Sequence, residues 1–191
     1  TKAQYNETMK LIEKKAEEEK KEIKISKANK PFGFNWKRGY FSELRFDAKH
    51  SARATWTYDD KNLYVAFDVV DNTPMINNGI DWMTLFKTGD AVEFDLRTKP
   101  DNDSKNVIQG DIRILVSVFE NKPIAVLYNY KVPGTKKPVV FKMTGKTVVD
   151  VVKIIENAKI KMRKRIDGYR VEFSIPLSEI NFHPEKGRKY K

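Results

Sequence analysis

The sequence predicts an all-β protein, an antiparallel, jelly-roll-like β-sandwich with an N-terminal surface helix. Three observations carry this prediction. From residue 52 onward, apolar and polar residues alternate with period two in segment after segment, the pattern of strands with one buried face. The segments are joined by short turns, which suit antiparallel neighbours. Finally, 191 residues with 40 % hydrophobic and 12 % aromatic content suffice for one domain with a real core.

The elements follow in order. Residues 5–24 carry Met9, Ile12, Ala16 and Ile23 among Glu and Lys at helical spacings. That stripe is thin, so the helix is expected on the surface or as a lead-in from a preceding domain, with residues 1–25 set apart. Residues 26–49 read as an aromatic linker broken by Pro31, Gly33 and Gly39. Its Phe32, Phe34, Trp36, Tyr40 and Phe41 are expected to cap the edge of the core. The sandwich is assigned to residues 50–191.

Ala54, Trp56 and Tyr58 alternate with Arg53, Thr55 and Thr57, and Asp59-Asp60-Lys61-Asn62 turns the chain. Leu63, Val65, Phe67 and Val69 alternate in the return strand, which makes a hairpin. Residues 90–97 form the next strand, with Glu93, Asp95 and Arg97 out of phase with Val92, Phe94 and Leu96. A polar loop at 101–104 precedes Ile112, Ile114, Val116 and Val118, which alternate with Arg113, Leu115, Ser117 and Phe119. Asn121-Lys122-Pro123 is read as a turn into a strand at 124–130. Further strands are expected at 138–143, 146–154, 157–166 and 168–175, the last bounded by the turn signal Asp167-Gly168. Pro176 ends it, and Leu177-Ser178-Glu179-Ile180 makes a short helical turn. No internal repeat is visible.

Charged residues make up 33 % of the chain and the net charge is +11. A nucleic-acid footprint needs that charge clustered on one face. Here Lys is interleaved with Glu and Asp along the whole chain, so a solvated surface is expected and no nucleic-acid partner. The exception is Lys159 to Arg165, whose alternation puts Lys159, Lys161, Arg163 and Arg165 on one strand face as a local basic ribbon. With no Cys, disulfides and thiolate metal sites are excluded. No apolar run reaches the roughly 20 residues of a membrane-spanning helix, and no secretory h-region is visible.

Four blocks, ARATWTYDDKNLYVAFDVVDNTP, TGDAVEFDL, GDIRILV and DGYRVEFSIPLSEI, occur in an order and at spacings that resemble the family 9-like carbohydrate-binding module fold. That fold is a β-sandwich related to the DOMON domains, and the similarity covers roughly residues 50–182. The resemblance implies a non-catalytic glycan-binding module of a larger carbohydrate-active or cell-envelope protein, extracellular or periplasmic, with neighbouring domains of the same polypeptide as partners. In sugar-binding members of that family the sugar lies between two Trp rings, with carboxylates and an Arg holding the hydroxyls. Block matching places Asp71, Glu93 and Arg113 at the polar positions and Trp82 near the first stacking Trp. No Trp follows Trp82. The family continues into at least one more strand, so the sandwich is expected to lack its last strand or strands.

Read from the residues alone, Glu93 and Arg113 point away from the apolar core, and they can pair if their strands are neighbours. Such a pair suits a polyol, since a carboxylate accepts from hydroxyls and a guanidinium donates to oxygens. It equally suits a cross-strand ion pair that only stabilises the sheet. Asp71, before Asn72-Thr73-Pro74, fits simple turn formation as well. Trp82 can stack on the C–H face of a sugar or pack down on the core.

The resemblance also implies calcium as a structural ion. Asp101, Asp103 and Asp111 offer hard oxygen ligands, without the Gly and distal Glu of an EF-hand loop. Haem, the ligand of some DOMON relatives, needs axial ligands such as Met with His or Lys. Met75, Met83, Met143, His50 and His183 supply the types without a fixed spacing. There is no G-x-S-x-G elbow, no H-E-x-x-H and no Cys, and no enzymatic activity is expected of this chain by itself. The alternative readings are a structural or interdomain sandwich with no ligand of its own, and a DOMON-type haem-binding domain.

Overall fold

The structure, a computed structural model, describes residues 42–45, 47, 49–99, 104–142, 145–185, 187, 188 and 190. The expected helix at 5–24 and the linker aromatics up to Phe41 lie outside the described residues. The rest is an antiparallel β-sandwich. A five-stranded sheet runs in the order β1 (Ser42–Arg45), β2 (Ser51–Tyr58), β3 (Asn62–Val70), β11 (Gly168–Pro176), β10 (Lys159–Arg165). A four-stranded sheet runs β4 (Ala91–Arg97), β5 (Asp111–Phe119), β6 (Lys122–Asn129), β9 (Val151–Ile154), and a two-stranded ribbon joins β7 (Val139–Lys142) to β8 (Lys146–Val149).

Alternation decides the main core. Leu63, Val65 and Phe67 of β3 and Val171, Phe173 and Ile175 of β11 face Val92 and Leu96 of β4, Ile112, Ile114 and Val116 of β5, and Leu127 of β6. Burying a side chain of this size stabilises the fold by about 1.5–3 kcal/mol, so this layer dominates the energetics. Phe182, fully buried and edge-on to Tyr190, closes one end.

A second core lies on the other side of the four-stranded sheet. There Leu115, Val126 and Tyr128 pack against Leu85 of a 3₁₀ helix, Trp82–Lys87, and against Phe141 and Val149 of the ribbon. Phe86 meets Tyr128 and Phe141 edge-on, at centroid distances of 5.9 and 5.6 Å. The four-stranded sheet is therefore the middle layer of three over part of its area. No helix among the described residues is long and apolar enough to cross a membrane.

The structure adjusts several boundaries. Ser42–Arg45, expected in the linker, is a strand paired with β2. The turn before β6 is Glu120-Asn121, both left-handed (φ 49° and 62°), and Lys122 and Pro123 already pair with β5. Pro123 is tolerated because the β9 ladder begins only at Val126, and among the described residues no other strand pairs with that stretch of β6 on its other side. The expected strand at 146–154 is two strands in two sheets. Between them Asp150 accepts the Val132 N–H at 2.8 Å and donates its own N–H to Tyr130, which turns the chain from the ribbon into the sheet. The hairpin turn at Asp167-Gly168 is present. Gly168 has φ 144°, and a side chain there would collide with the Val69 carbonyl of the neighbouring strand.

Candidate functional site

The outer face of the four-stranded sheet changes character along its strands. Ladder register sets Glu93 opposite Leu115 and Val126 in one row, then Asp95, Arg113 and Tyr128 in the next, then Arg97 opposite Asp111. The 3₁₀ helix and the ribbon cover the apolar end, and the charged end is left open. Arg113 Nε donates to Asp95 at 3.0 Å, and its Nη1 lies 3.3 Å from Glu93. The expected Glu93–Arg113 pair thus forms as a diagonal contact, with Asp95 directly across. Tyr128 donates its hydroxyl to the Met83 carbonyl at 3.0 Å, and Asp81 caps the same helix by accepting the Met83 N–H at 3.0 Å. These bonds hold Trp82, part-exposed, on the same side of the sheet as Glu93 and Arg113.

The electrostatics follow from partial burial. Desolvation raises the Glu93 carboxyl above the ordinary Glu range, with Arg113 opposing and Asp95 reinforcing the rise. Burial acts to lower the Arg113 guanidinium, but Asp95 and Glu93 outweigh it and raise its pKa. Burial raises the Tyr128 and Tyr130 phenols as well, so both remain hydroxyl donors at neutral pH. The charged end therefore offers carboxylate acceptors, guanidinium donors and a neutral phenol beside aromatic rings. The Asp95 side chain is 61 % exposed, so this capacity is open to solvent.

The next row is committed elsewhere. Arg97 grips Asp111 through Nε at 2.7 Å and Nη2 at 2.8 Å, and it donates to the carbonyls of Ser104 and Asn106. Burial works against the charge on Asp111. The Arg97 bonds and the Ile108 N–H outweigh it and hold the carboxyl below the usual range. Asp111 is thus an anchor for the loop before β5. Asp101 and Asp103 lie outside the described residues. Among the described residues no group of three or more His, Asp or Glu is arranged to hold a metal ion.

Asp71 does not join the trio. It closes β3 in the other sheet, where its carboxylate accepts from the Thr73 N–H at 3.0 Å and the Thr73 hydroxyl at 3.2 Å, a turn-forming role. Of the residues considered as haem ligands, His50 pairs with Asp47 at 2.9 Å, and His183 lines a cleft beside the turn between β2 and β3. Met75 packs on the main core, Met83 packs on the second core, and Met143 lies outside the described residues.

A second polar cluster, unremarked in the sequence, occupies the outer face of the five-stranded sheet. Asp68, 3 % exposed, receives Arg53 at 2.6 Å, Arg165, and Arg170 at 3.3 Å. Burial alone would raise its pKa, and the three guanidinia outweigh burial and lower it. The signal was present. Asp68 and Arg53 are both out of phase with the apolar residues of their strands, and register sets them opposite one another. Arg165, assigned to a basic ribbon, is turned to this carboxylate.

No protein-family model, no curated protein and no solved structure matches the chain.

Proposed function

We propose that this chain is a non-catalytic carbohydrate-binding module within a larger carbohydrate-active or cell-envelope protein, its sandwich of the family 9-like, DOMON-related kind. One observation carries the reading. Arg113 stands between Glu93 and Asp95 at the open end of a sheet face, with Tyr128 across from it in the ladder and Trp82 packed on the covered part of the same face. Carboxylates accept from sugar hydroxyls, a guanidinium donates to ring and hydroxyl oxygens, and an aromatic plane stacks on the C–H face of a pyranose. Glu93, Arg113 and Trp82 are the binding residues in this reading, with Asp95 and Tyr130 added to them.

The test is calorimetric titration with a panel of neutral mono- and oligosaccharides. At least one sugar is expected to bind, and Trp82→Ala and Arg113→Met should each weaken it roughly ten-fold, the loss of one stacking or charge-assisted contact. Absence of binding across the panel, or affinity unchanged in both folded variants, overturns the reading. A structural module packed on a neighbouring domain is the second reading. It is favoured by Ile76 (48 % exposed) and Ile80 (97 % exposed) in the loop that leads to the 3₁₀ helix.

A further inference from the structure

The five-stranded sheet ends in two edges of opposite character. β10 presents Lys159, Lys161, Arg163 and Lys164, all exposed and all basic, which repels a second copy of the same strand. In β1 the residues Ser42, Glu43, Leu44 and Arg45 are all exposed, and a leucine is flanked by one charge of each sign. Among the described residues no strand pairs with the outer edge of β1. Arg45 Nη2 lies 3.7 Å from Glu43, an exposed pair that holds little energy by itself.

The ladder phase fixes which backbone groups that edge offers. The Asp59 N–H donates to the Asn62 carbonyl at 3.0 Å, so alternation turns Ser51, Arg53, Thr55 and Thr57 of β2 toward β3. On the far side of β3 the phase agrees, since the Asp71 N–H donates to the Asp167 carbonyl and the Leu177 N–H to that of Lys61. Ala52 and Ala54 therefore bond to Leu44 and Ser42, and the N–H and C=O groups of Glu43 and Arg45 point outward. Leu44 lies opposite Ala52, on the core side of the sheet. Trp56 of β2 already meets Phe94 of the edge strand β4, 5.7 Å between centroids. β1 thus extends past the second sheet, and Leu44 is 66 % exposed.

We infer that β1 pairs antiparallel with β1 of a second copy, joining the two five-stranded sheets into one continuous sheet. Only Glu43 and Arg45 offer backbone groups to the partner, so the two-fold axis passes through Glu43, Leu44 or Arg45. An axis through Glu43 or Arg45 sets like charges face to face. An axis through Leu44 sets Glu43 opposite Arg45 of the second copy on both sides. It satisfies every outward N–H and C=O of those residues and brings the two leucines together in the closer, non-hydrogen-bonded pair. Backbone phase and charge select the same register. The contact is short, so the dimer is weak and reversible. Its axis stands perpendicular to the sheet, so both Glu93–Arg113 faces open on one side; the pairing itself does not depend on what they bind.

The experiment is sedimentation equilibrium of the whole chain from micromolar to near-millimolar concentration, where a reversible monomer–dimer equilibrium is expected. Glu43→Pro should abolish it and leave the melting temperature nearly unchanged, because the lost N–H points outward and an edge tolerates proline there. Glu43→Arg and Arg45→Glu should each weaken self-association roughly ten-fold, since the symmetry repeats each change. An equimolar mixture of the two should recover association, because opposite charges then meet on both sides of the axis. These reversals alter exposed side chains, so they decide the matter even where the proline variant misfolds.

The chain has no Cys, so an introduced thiol reports the axis directly. Oxidised Leu44→Cys should cross-link into a dimer, because a non-hydrogen-bonded pair lies within disulfide range, and Ser42→Cys should not. A chain that stays monomeric throughout overturns the inference and leaves the edge to a strand of another protein. Self-association unchanged in Glu43→Pro or in both charge reversals, a mixture no tighter than its components, or equal cross-linking at Ser42→Cys would each overturn it as well.

Discussion

On the outer face of the five-stranded sheet one carboxylate lies among three guanidinia. On the outer face of the four-stranded sheet one guanidinium stands between two carboxylates. The residue types are the same and the proportions are inverted, yet accessibility separates them. Asp68 is 3 % exposed with its oxygens taken up by arginines from β2, β10 and β11, so it ties three strands to β3 and offers nothing outward. Arg113 and its acids lie at an open edge, where hydrogen-bonding capacity remains toward solvent. An ion pair seen in a structure thus has two meanings, and burial of the minority charge tells them apart.

The largest expected effect tests the closed cluster. Asp68→Asn should cost about 3 kcal/mol in denaturant unfolding, the low end for breaking a buried pair because the arginines keep some contact with water. Arg113→Met should cost less than about 1 kcal/mol, as a part-exposed pair does. If the two losses are equal, the contrast between the faces is wrong.

Acid titration sharpens the contrast further. The Asp68 pKa is lowered in the folded state, so its contribution is present above the unfolded carboxyl value and lost as pH falls below about 4. Glu93 is raised, so its contribution has the opposite sign, being full in acid and lost as pH rises through its folded value. Stability curves against pH should therefore lose part of their acid-side fall in Asp68→Asn. Glu93→Gln should gain slightly at neutral pH relative to acid, the smallest of these effects. Parallel curves for both variants and the unaltered chain would contradict the assignment.

Much of the sandwich was legible because period two is a geometric necessity of a half-buried strand. Ala54 to Tyr58 and Leu63 to Val69 needed only their alternation, and the Glu93–Arg113 contact followed from two residues out of phase on adjacent strands. What alternation cannot see is a change of neighbour. Residues 146–154 are rich in Val and broken at the centre by Asp150, a residue type depleted in strands, and the partners of Asp150 show that the chain changes sheet there. The second core did leave a trace, since Leu115 sits between Ile114 and Val116 in an unbroken apolar run, the mark of a strand covered on both faces. Asp71, which accepts from Thr73, shows the limit of local reading, because a carboxylate at a strand end looks the same whether it serves a ligand or the next turn.

The pairing of β3 with β11 has a consequence for how the chain reaches this state. Val70 and Gly168 are ladder neighbours, although the entire second sheet lies between them in the sequence. Closing so long a loop is slow relative to forming the β2–β3 hairpin. Pulse-labelled hydrogen exchange during refolding should find β4–β6 amides protected before those joining β3 to β11, and simultaneous protection would exclude that sequence of events. On the ribosome, β3 emerges well before its partner and waits with one edge open to any passing strand. Arg53 and Asp68 are already on that hairpin, so a charge pair guards the waiting edge until the C-terminal strand arrives with Arg170.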